Sequence, residues 1–72
     1  MEIEGYDKLS EGQQKSFEKI LRLYLLAQST ESLKQTELKA VAPLGRCFRL
    51  DMKCGDSPVK SIVLNPVTLE WG

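Results

Sequence analysis

Few side chains in this 72-residue chain could do chemistry, and their types exclude more than they suggest. Histidine is absent. With it go the commonest general base, the commonest metal ligand and the usual partner of a serine or cysteine nucleophile. Catalysis would then rest on a carboxylate pair, a lysine or an activated thiol. The two thiols are Cys47 and Cys54. Their spacing is not that of a redox or zinc Cys-x-x-Cys pair, and no further ligands complete a tetrahedral site. On one extended strand they have opposite parity, which forbids disulfide geometry. Arg46 and Arg49 flank Cys47, and adjacent cations can activate a thiol. The simpler role of both cysteines is that of a small hydrophobe.

The carboxylates have structural roles already. Asp56 lies in Gly55-Asp56-Ser57-Pro58, which is turn chemistry. Asp51 sits on a strand face, and Glu11 and Glu18 belong to a helix. No two acids form a catalytic pair or a calcium loop. Gly45 and Gly55 are isolated, so no loop cradles phosphate. No catalytic residue, cofactor site or metal site is therefore expected, and the chain reads as a non-enzyme.

Lys15, Lys19 and Arg22 share one helix face at i, i+4, i+7. Such a stripe can contact phosphates, and Arg46, Arg49 and Lys53 add charge elsewhere. Glu11 and Glu18 neutralise part of it, and an ordinary solvated face outweighs nucleic-acid contact. The five aromatics form no stacking series of the kind an RNA-binding sheet presents. Leu23 and Leu26 lie off the buried stripe, and Leu26 falls among the cations. A helix apolar on more than one side is covered on more than one side. Either residues 30–42 fold back over these leucines, or they meet a partner or a second copy of the chain. The candidate partner-binding set is Leu23, Leu26, Lys19 and Arg22. The alternative nucleic-acid set is Lys15, Lys19 and Arg22.

These residues need a scaffold. Ser10-Glu11-Gly12-Gln13 fits a capping box, and Glu11 suits the first turn of a helix. Phe17, Ile20, Leu21 and Tyr24 recur at helical spacing. Together they predict a helix over about 10–28, with Glu11–Lys15 and Glu18–Arg22 as i,i+4 pairs of about 0.2–0.5 kcal/mol each. Ser29 to Ser32 interrupts it. Residues 33–42 read as a short second helix, because Glu37, Leu38, Lys39 and Ala40 are good helix formers, although Leu38, Ala40 and Ala42 also alternate as a strand would. Residues 1–9 read as a lead-in, in which Ile3 and Tyr6 pack on the core or the segment adds a short edge strand.

The last third reads as β. Phe48, Leu50, Met52 and Cys54 alternate with Cys47, Arg49, Asp51 and Lys53. Val59–Leu64 and Val67–Trp71 supply two further strands, with a turn at Asn65-Pro66. Register decides which side is apolar, since one slip exchanges every side chain between faces. A loop at Gly55–Ser57 aligns Leu50 with Ile62 and Phe48 with Leu64. It gathers nearly all large apolar side chains, with Val67, Leu69 and Trp71, on one face for the helix to cover. The expected fold is a single α+β domain over 1–72. An N-terminal helix and a short second helix pack on one face of a three-stranded antiparallel meander.

Composition narrows function by class. Apolar residues at 42% and charged residues at 28% are globular rather than disordered values. Ten basic residues balance ten acidic ones, so no overall charge draws the chain to nucleic acid or an anionic membrane. The acidic start has no signal-peptide pattern, and the longest apolar cluster, Leu23–Ala27, is too short for a bilayer. A cytoplasmic protein with reduced thiols is expected. By elimination, its function is that of a small regulatory or adaptor module working through protein contacts, self-association included. Nucleic-acid binding is the alternative.

Overall fold

The computed structural model describes residues 3–72. The first helix, α1, runs Glu11–Leu26 and opens on the expected capping box. Gln13 N–H donates to Ser10 Oγ at 3.2 Å, and Ser10 N–H donates to Gln13 Oε1 at 2.9 Å. Each bond satisfies an amide that the first turn leaves unpaired. Phe17, Ile20, Leu21 and Tyr24 are its buried residues, as their spacing predicts. Ala27 caps α1, and a short helix α2, Thr30–Gln35, follows on a Ser29 cap that accepts from Ser32 N–H at 3.2 Å.

Four strands follow: β1 Thr36–Leu44, β2 Cys47–Cys54, β3 Lys60–Asn65 and β4 Glu70–Trp71. They form one antiparallel sheet in chain order. The α+β architecture is the expected one, with a strand added. Helix formers at 37–40 lie in β1 rather than in the second helix, which ends at Gln35. The physical reason is pairing: β1 hydrogen-bonds along most of β2, and tertiary context overrides a weak local propensity. A bulge lies between Leu38 and Ala40, leaving Lys39 without a partner on β2. Leu38 opposes Met52 and Val41 opposes Leu50. The extra residue thus puts two apolar side chains three apart on the same face.

The β2–β3 register is the one that unites the apolar side chains: Phe48 opposes Leu64 and Leu50 opposes Ile62. Leu50, Met52 and Leu64 are among the most deeply buried side chains, with Phe17 and Ile20 from α1 above them. The β3–β4 connection differs from expectation. Asn65 Oδ1 accepts from Val67 N–H at 3.0 Å and Thr68 N–H at 3.2 Å, and Leu69 adopts φ 61°. The asparagine side chain stands in for a backbone turn and lengthens the loop. Trp71 still opposes Leu64. Val67 and Leu69, expected on the core face, lie in this loop at 69% and 42% exposure.

The lead-in packs on the core, and in place of an edge strand it makes one isolated bridge to β1. Ile3 is buried in the core, and Tyr6 packs against it. Glu4 bridges Ala40 in parallel, with Glu4 N–H donating to Lys39 O at 3.1 Å and Val41 N–H to Glu4 O at 2.8 Å. Gly5 then turns the chain at φ 89°, where a Cβ would stand 2.3 Å from the Val41 carbonyl oxygen. Only glycine fits so close a backbone approach. Tyr6–Lys8 makes one 3-10 turn into Leu9 and Ser10.

Candidate interaction surface on the first helix

One side of α1 faces the sheet, and the other carries the sequence-predicted residues. Lys15, Lys19, Arg22 and Leu26 fall on one outward stripe, all exposed. Leu26 is 74% exposed, the highest value of any large hydrophobic side chain described. Leu23 is partly buried at the flank of the core stripe. The structure therefore brings Lys19, Arg22 and Leu26 together and sets Leu23 at their margin. Residues 30–42 do not cover Leu26: α2 is followed at once by β1, which pairs with β2.

Two neighbouring concavities lie along this face and share Glu18 and Arg22. The first, about 400 Å³, is lined by Leu21, Leu25, Leu26 and Leu33 as well. The second, about 340 Å³, adds Lys15, Lys19 and Leu23. Leu25 and Leu33 escaped notice in the sequence. Leu33 had a signal, being the sole apolar side chain in the α2 segment Thr30–Gln35.

The ion pairs are redistributed. Lys15 Nζ meets Glu11 Oε1 at 3.6 Å. Both ends are largely exposed, so the pair is worth at most about 1 kcal/mol. Glu18 does not pair with Arg22. Its Oε1 accepts a hydrogen bond from the Tyr6 hydroxyl at 2.9 Å. That bond raises the Tyr6 pKa above its ordinary value, with desolvation and the negative charges of Glu18 and Asp7 adding to it. Lys19 and Arg22 make no ion pair among the described residues.

The other reactive types are dispersed. Cys47 and Cys54 are free, half-buried thiols at opposite ends of β2. Arg49, expected beside Cys47, places its Nε 3.5 Å from Asp51 Oδ1, and the Ser61 hydroxyl also donates to that carboxylate oxygen. No group of three His, Cys, Asp or Glu side chains gathers among the described residues. No described helix is long and apolar enough to cross a membrane. No protein family model matches the chain, and neither a curated protein nor a solved structure matches it.

Proposed function

We propose that the chain is a non-enzymatic regulatory or adaptor module that works through protein contacts made by the outer face of α1. Leu26 carries the proposal. It stands 74% exposed on the side of the helix turned from the sheet, beside a leucine-lined groove. Burying such a side chain in an interface yields about 1.5–3 kcal/mol, enough to anchor a contact. Leu23 extends the apolar surface, and Lys19 and Arg22 form its polar rim.

The test is capture from a lysate of the protein's source, with and without nuclease, using the wild-type chain and Leu26→Asp in parallel. The expected result is a protein partner that survives nuclease, is lost with Leu26→Asp, and a variant that melts like the wild type. A variant that unfolds would make Leu26 a core residue and end the proposal.

One observation favours nucleic acid as a second function: Lys15, Lys19 and Arg22 line a single concavity. Binding of this kind weakens steeply with salt and is lost on charge reversal of Lys15 and Lys19. Capture that collapses with nuclease would support it.

A further inference from the structure

We infer that the surface made by α1 and Leu33 receives an acidic amphipathic helix from a partner protein. This rests on the protein-contact function proposed above and names the chemistry of the partner. An apolar trough lined by Leu21, Leu25, Leu26 and Leu33 runs beside a cationic one lined by Lys15, Lys19 and Arg22. Its complement is a helix with aliphatic side chains on one stripe and carboxylates on the next.

The charge balance sets the sign. Three cations, Lys15, Lys19 and Arg22, stand on this face against two carboxylates, Glu11 and Glu18, so its balance is positive. Glu11 is held by Lys15, and Glu18 accepts from Tyr6. Lys19 and Arg22 keep unpaired charge among the described residues, so the rim seeks anions. A second copy of the chain fits poorly. Across a two-fold axis the same patch meets itself, setting its excess of cations against an equal excess. Nucleic acid fits poorly as well. It would leave the leucines in water, and no aromatic side chain lines either trough for a base to stack on.

The test is a display library of helical peptides with leucine fixed at i, i+3, i+4 and i+7 and the flanking positions randomised. It is selected on the wild-type chain after subtraction on Leu26→Asp. The expected pool is enriched in Asp and Glu at the flanks. A selected peptide should bind the wild-type chain about tenfold more tightly than Arg22→Glu or Leu26→Asp. A lysine-flanked version of that peptide should regain binding to Arg22→Glu. Neutral or basic flanks in the pool would overturn the acidic partner while leaving the contact function standing. A pool that does not distinguish the wild type from Leu26→Asp would overturn both. Displacement of the peptide by an oligonucleotide, or self-association of the chain through the same residues, would also overturn the inference.

Discussion

The Tyr6 hydroxyl donates to Glu18 Oε1 at 2.9 Å, and this single bond decides where the Glu18 carboxylate points. Glu18 stands one turn before Arg22, where an i,i+4 pair would ordinarily form. The tyrosine draws the carboxylate toward the lead-in instead and leaves the guanidinium free. Tyr6→Phe removes that hold. Glu18 should then swing to Arg22, a pair worth about 0.3–0.5 kcal/mol. The expected outcome is weaker binding of acidic peptides, with binding recovered in Tyr6→Phe/Glu18→Gln. Titrations of the single and double variants check this.

Gly5 is the position least able to accept a side chain. Its φ of 89° disfavours any L residue, and a Cβ would press on the Val41 carbonyl, which is backbone and cannot turn aside. Gly5→Ala should cost about 1–3 kcal/mol from the backbone conformation alone, with the clash added. It should also loosen the Glu4–Ala40 bridge. Denaturant unfolding measures the first effect. Faster amide exchange at Glu4 and Val41 reports the second.

Alkaline pH should destabilise the fold. The pKa of Tyr24 is raised, first by burial and then by the nearby Cys54. That of Tyr6 is raised by its bond to Glu18. In both cases the folded chain holds the phenolic proton more tightly than the unfolded chain does. Above the ordinary value of 10.0 the unfolded state loses its protons first. Stability is therefore complete below that pH and falls as pH rises through the folded pKa values. Chemical denaturation across this range, compared with Tyr24→Phe, should show a shallower decline in the variant.

Most of the fold was legible because its signals were local or parity-based. Ser10 and Gln13 announce the start of α1, and the spacing of Phe17, Ile20, Leu21 and Tyr24 identifies its inner face. The β2–β3 register followed from asking which pairing unites the apolar side chains, and Phe48 does oppose Leu64. β1 was hidden for a physical reason. Leu38, Ala40 and Ala42 do alternate, but the bulge at Lys39 puts Leu38 on one face with Val41 instead, so that alternation marks no buried face. Good helix formers at 37–40 deepened the disguise. Val67 and Leu69 were misplaced because the Asn65 side chain builds a longer turn than Asn65-Pro66 suggests. On the candidate surface, Leu26, Lys19 and Arg22 were found by helical geometry alone. The contribution of Leu33 depends on how the chain reverses after Ala27, which helical spacing does not encode.

The sheet order β1-β2-β3-β4 also bears on how the chain assembles. Every strand pairs with its neighbour in sequence, so each pairing closes only a short loop and loses little chain entropy. Local strand pairing of this kind favours rapid formation of the sheet. The Glu4–Ala40 bridge is the exception, because it encloses both helices. It ties the first residues of the chain to a sheet whose strands find one another without it. The N-terminal segment therefore acts as a clasp whose closure spans both helices.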